Sequence, residues 1–253
     1  MTRDEALFEY LLRLGDNTLI LGHRVSEWCG HAPVLEEDIA LANTALDLIG
    51  QTQLWLGLAG EVEGKGRDAD KLAFLRDAWD FRNVLLVEMP NGDFGRTLMR
   101  QFLFDAFHSI LLGKLMKSSD PRVAEIAEKA SKEVSYHLER SAGTVVGLGD
   151  GTEESHARMQ AALEYLWPYV GEMFTGDAVD AEMAAAGVAS DPASLRADYD
   201  ALVGRVLGDA TLAIPDSPFA HKGGKTGTMH TEHLGHLLTQ MQWLQRAYPG
   251  ASW

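Results

Sequence analysis

The chain has 253 residues, 46% of them hydrophobic, which is enough for one sizeable core. Its net charge of −15 excludes a nucleic-acid binder, because neutralising phosphates takes clustered Lys and Arg, and it argues equally against an anionic membrane surface. The single cysteine, Cys29, excludes an intramolecular disulfide and a Cys-rich metal site, as expected of a reducing cytoplasm.

The start, Met1-Thr-Arg-Asp-Glu5, lacks the basic-then-apolar order of a secretion signal, and no apolar run is long enough to span a membrane. A cytoplasmic protein is the expectation. Leu7, Leu11, Leu14, Leu21, Val25 and Trp28 recur at helical intervals, so residues 3–30 read as one helix with Thr2 at its N-cap. Gly15 and Gly22 weaken that helix without breaking it, and Gly30 to Pro33 stops it. A second helix runs from the acidic turn at Glu36 to about Glu63, a third over 70–88, and a fourth, the most apolar segment, over 94–117. Pro121 opens a fifth, to about Leu148, and 153–174 resumes helical spacing. Residues 176–192 read as a loose connection, 193–208 as a short helix, 215–228 as an irregular loop and 230–248 as a last helix. The expectation is an all-α chain forming one domain, with a ferritin-like four-helix bundle core over about 3–148 and extra helices over 153–253.

The four long segments fall into two consecutive pairs, which suits a bundle with one long crossover. Such bundles hold two metals through Glu-x-x-His on each of two helices and a lone carboxylate on each of two others, six ligand positions in all. The i, i+3 spacing sets both members of a pair on one helical face. Candidate positions here are Glu27, Asp47 with Gly50, Asp105, and Val134 with His137. Asp105 sits in Phe102-Leu-Phe-Asp-Ala-Phe107, where an ionised carboxylate loses hydration and needs a partner. Gly50 and Val134 have no lone pair to donate, and Asp47 is one methylene shorter than Glu. Three acids near one another repel, so at least one must be protonated or paired, with Arg24 and Arg140 as candidate counter-charges. The remaining donors are too few to place two irons for oxygen activation.

Several motifs together resemble a known family: Leu14-Gly-Asp-Asn17, His23-Arg-Val-Ser-Glu-Trp-Cys-Gly-His-Ala-Pro33, Leu46-Asp-Leu-Ile-Gly-Gln51, Lys132-Glu-Val-Ser-Tyr-His137 and His230-Thr-Glu-His-Leu-Gly235. The family is that of the C subunits of ring 1,2-phenylacetyl-CoA epoxidase, the multicomponent monooxygenase of aerobic phenylacetate breakdown. The resemblance extends over essentially the whole chain. It implies a ferritin-like structural subunit with decayed iron ligands and no cofactor of its own. It also implies pairing with a related catalytic A subunit that carries the di-iron site and binds the CoA thioester, while further subunits bring electrons from NADPH. A homodimer is expected of the isolated chain, and direct contact with CoA is left open.

Other signals carry less. His230, His233 and His236 step three apart and spread over roughly 120° of a helix, awkward for one zinc and better read as a helix start with a partner contact. Lys222-Gly-Gly-Lys-Thr226 lacks the first glycine of a phosphate loop, where Phe219 stands; its lysines remain candidates for CoA phosphates or an acidic partner. Trp28, Trp55, Trp79, Trp167, Trp243 and Trp253 read as core or subunit interface. Two further functions compete with the supporting role: a self-sufficient metal-dependent oxidase using Glu27, Asp47, Asp105 and His137, and, more distantly, an iron store.

Overall fold

The computed structural model describes residues 1–217 and 219–251, so Trp253 lies outside the described residues. The described residues are all-helical, with no strand among them. In chain order the α-helices are α1 Arg3–Ser26, α2 Leu35–Glu63, α3 Ala69–Phe74, α4 Phe94–Leu115, α5 Pro121–Gly149, α6 Glu153–Leu166, α7 Ala178–Ala185, α8 Arg196–Asp209 and α9 Glu232–Ala247.

Two helical hairpins make the frame, α1 against α2 and α4 against α5, and they meet where α2 crosses α5. Thr2 caps α1 as expected, its hydroxyl accepting from the Glu5 N–H while the Glu5 carboxylate accepts from the Thr2 N–H. Gly15 and Gly22 set how closely the first hairpin packs. A Cβ on Gly15 would stand 2.5 Å from Leu56 Cδ2, and one on Gly22 would stand 3.2 Å from Leu48 Cβ. Thr18 and Thr52 share a hydrogen bond of 2.8 Å across the same seam. The core is continuous from Ala6 to Leu238 and includes the fully buried Trp55, Phe81, Phe102, Phe104 and Tyr199. A fully buried leucine in it contributes about 2 kcal/mol by area.

The structure corrects four boundaries. Residues 70–88 are not one helix: α3 ends at Phe74, and only two 3-10 turns follow, Ala78–Asp80 and Leu85–Glu88. The amides that a helix would use internally are taken by distant side chains. Arg82 N–H donates to Asp16 at 2.8 Å, Val84 N–H to Asn17 at 2.8 Å and Leu85 N–H to Glu172 at 2.8 Å. The helix begun at Glu153 stops at Leu166, because Pro168 follows and 3-10 turns replace it. The stretch 176–192 contains α7, started by Asp177 accepting from the Val179 and Asp180 amides. The first helix ends at Ser26 rather than 30; Trp28 turns inward and donates through Nε1 to Thr97 at 2.9 Å.

Residues 219–231 form an irregular strap, in keeping with the loop expected over 215–228, and it is pinned by buried carboxylates. Glu172 accepts from the Gly223 and Lys225 amides at 2.8 and 3.1 Å, and Asp180 accepts from Lys225 Nζ at 2.6 Å. Burial pushes the Glu172 carboxyl upward despite those bonds. Glu88, fully buried, accepts from His230 Nδ1 at 2.6 Å and from the Thr231 amide and hydroxyl at 2.7 Å each. Lys225 is thus a structural ion-pair member, and His230 contacts its own chain at the entry to α9. Trp55 is core, Trp28 and Trp167 pack against the core, and Trp79 and Trp243 are exposed.

Candidate functional site

The polar interior lies where α4 and α5 pack together and α2 crosses α5. Asp105 on α4 is fully buried, accepting from Gln101 Nε2 at 2.7 Å and from Ser141 Oγ of α5 at 2.8 Å. Burial pushes its carboxyl up to about 6, against the opposing pull of His137 and of these two donors. His137, also buried, points Nε2 at Asp47 Oδ2 of α2 at 2.9 Å. One helical turn beyond Asp105 stands His108, whose imidazole burial and the neighbouring His137 push down to about 3. His108 Nδ1 and His137 Nδ1 are buried with no hydrogen-bond partner in the protein, as is Gln101 Oε1.

Sequence reasoning picks out Asp47, Asp105 and His137, and the structure brings these into one region. It misses His108, Gln101 and Ser141. The signal for His108 is present as Asp105-x-x-His108, the same i, i+3 spacing that relates Val134 to His137. Gln101 and Ser141 carry no such mark, since their role depends on which faces of α4 and α5 meet.

Glu27 does not belong to this region. It caps the C-terminus of α1, its side chain about one-third exposed, 3.0 Å from Arg24 Nη1 and accepting from Asn91 Nδ2 at 2.8 Å. Arg24 also donates to the Glu88 carbonyl, at 3.2 and 2.9 Å. Arg100, in the same buried group, donates to Asn91 Oδ1 at 2.7 Å, and burial lowers its guanidinium to about 9. Arg140 is ion-paired with Glu37 and reaches Asp105 only through space.

Val134 is fully buried on the His137 face, whereas Gly50 faces outward, and a Cβ there would meet nothing within 4 Å. The inner neighbour is Gln51, which donates to Glu133 at 2.9 Å. Among the described residues no group of three or more His, Cys, Asp or Glu is arranged to hold a metal ion. The donors present do not fit a two-iron centre: Val134 has none, Gly50 has none and points away, Glu27 is held elsewhere, and both Asp105 oxygens are already engaged.

Two helical hairpins crossing over a carboxylate and two histidines define a bundle protein of the ferritin-like class. The chain belongs to the phenylacetic acid catabolic protein family, which matches residues 1–253 and is ferritin-like. It is 49% identical over 247 residues to the C subunit of 1,2-phenylacetyl-CoA epoxidase from Escherichia coli strain K12, covering 98% of this chain and 99% of that one.

Proposed function

We propose that this chain is a structural, metal-free subunit of a 1,2-phenylacetyl-CoA epoxidase in aerobic phenylacetate catabolism, where it supports and orients a catalytic di-iron A subunit. The observation that carries this reading is the interior at Asp105, His137 and Asp47, whose side chains are hydrogen-bonded within the chain, while Val134, one turn before His137, offers no ligand atom. Asp47, Asp105, Val134 and His137 are read as the remains of a metal site, with Gly50 turned away from it and Glu27 with Arg24 as a structural pair outside it. The near full-length identity to the C subunit of the Escherichia coli enzyme supports the assignment to that complex. Alone, the chain covers its exposed apolar surface as a homodimer.

The competing reading, a self-sufficient oxidase, would need Asp105, His137 and Asp47 to let go of their present partners and would still lack bridging ligands. Elemental analysis of the chain purified with iron supplied separates the two. The supporting role expects well under one iron per chain, and an epoxidation assay with the other subunits that fails only when this chain is omitted. Two tightly held irons per chain would overturn it.

A further inference from the structure

α2 is apolar on two opposite faces, and its own chain covers only one of them. Its inner face buries Leu41, Leu48, Trp55, Leu56 and Ala59 against α1 and the core. Its outer face runs Leu35, Ile39, Ala42, Leu46, Ile49 and Gln53, stepping by 4, 3, 4, 3 and 4 residues. That is the a/d heptad spacing of a seam between packed helices. Leu35 is 70% exposed, Ile39 53%, Leu46 68% and Ile49 37%, and no charged residue interrupts the row. With Gly57 at its far end the face extends about 33 Å. A Cβ on Gly50 or Gly57 would meet nothing within 4 Å, so another backbone can come close at both. An uncharged stripe of this length on a chain of net charge −15 is a large departure from the rest of its surface. A helix apolar all round is a buried helix, and here burial is incomplete.

The borders of the stripe say what completes it. α2 carries Glu36, Glu37, Asp38, Asp47, Glu61 and Glu63, and no Lys, Arg or His at all. Glu37 is paired with Arg140 and Glu63 with Arg67, but Glu36 and Glu61 stand exposed beside the seam. Two copies meeting through this face would set acid against acid, at a cost that a basic-bordered partner avoids.

We propose that the outer face of α2 is the docking seam for one long helix of a different subunit, a helix with its own apolar heptad row and with Lys or Arg along its borders. This rests on the supporting role proposed above and identifies the surface that performs it. A second copy of the chain is the weaker occupant, used when the partner is missing.

The test is the affinity of the full-length chain for the co-purified catalytic relative, measured for the native chain, Leu46→Glu and Leu46→Met. Leu46 is exposed, so both variants should keep native helicity and melting temperature. Leu46→Glu should weaken the heteromer at least tenfold and Leu46→Met less than twofold, and raising salt from about 0.05 to 0.5 M should weaken the native pair. Native-like binding by Leu46→Glu would overturn the seam while leaving the supporting role in place. No binding by the native chain would overturn the supporting role itself. Loss of a homodimer in Leu46→Glu with the heteromer unchanged would give the seam to a second copy, and a salt-independent affinity would remove the basic border.

Discussion

The imidazole Nε2 of His137 on α5 lies 2.9 Å from the Asp47 carboxylate on α2, a hydrogen bond that joins the two helical hairpins. The imidazole is buried and the carboxylate is about one-third exposed, so only one end of the bond is out of water. The bond therefore acts as a cross-link whose loss strands the imidazole more than the acid. Asp47→Ala should cost about 1–3 kcal/mol in urea unfolding, and Asp47→Asn, which can still accept from or donate to the ring, clearly less. Equal losses for both variants would show that the pairing is incidental.

Asp105 makes stability depend on pH in a stated direction. Its carboxyl is raised from 3.8 to about 6 by burial. Below about pH 4 it is protonated whether the chain is folded or not. Between about pH 4 and 6 the unfolded chain releases the proton first, so the folded state loses ground as pH rises; above that both states are ionised and the loss levels off. The gap corresponds to about 3 kcal/mol at most. Asp105→Asn should remove this segment of the pH profile and be at least as stable as the native chain at pH 7. A profile unchanged by the substitution would mean that Asp105 ionises freely in the fold.

Val134→Glu would create a Glu-x-x-His pair with His137, but in a fully buried position. With both Asp105 oxygens already engaged, the added carboxylate lacks compensation, and the variant should lose about 3 kcal/mol or more and bind no iron stoichiometrically. Native stability together with bound iron would contradict the metal-free reading.

Glu88 ties the strap to the bundle through His230 and Thr231 and also accepts from Asn83 Nδ2 at 2.9 Å. Glu88→Ala removes the acceptor for four donors. Trypsin should then cut at the exposed Lys222 at least tenfold faster, with the global unfolding midpoint falling less in proportion. Cleavage at the native rate would place the strap's stability in Glu172 and Asp180 instead.

How legible the fold is depends on the range of the interactions behind each part. The four long helices are readable because their evidence is local: apolar spacing, Thr2 at one N-cap and Pro121 opening another. Periodicity misreads residues 70–88 because their amides go to Asp16, Asn17 and Glu172, the first two more than 60 residues earlier and the last 87 later. Arg76 belongs to the same set, its guanidinium held by Asp16 in a fully buried ion pair. Helical spacing contains nothing about such partners.

The interior divides in the same way. That Val134 and Gly50 cannot ligate is written in the sequence, because it follows from side-chain chemistry wherever the residue sits. So is the need of Asp105 for a partner, set as it is among Phe102, Phe104 and Phe107. Which residues supply that partner, that Glu27 stands outside the group, that Gly50 faces outward and that His108 belongs inside became visible only in the folded chain. Those outcomes depend on the rotation of each helix about its axis, which is set by packing against neighbours and not by any local pattern.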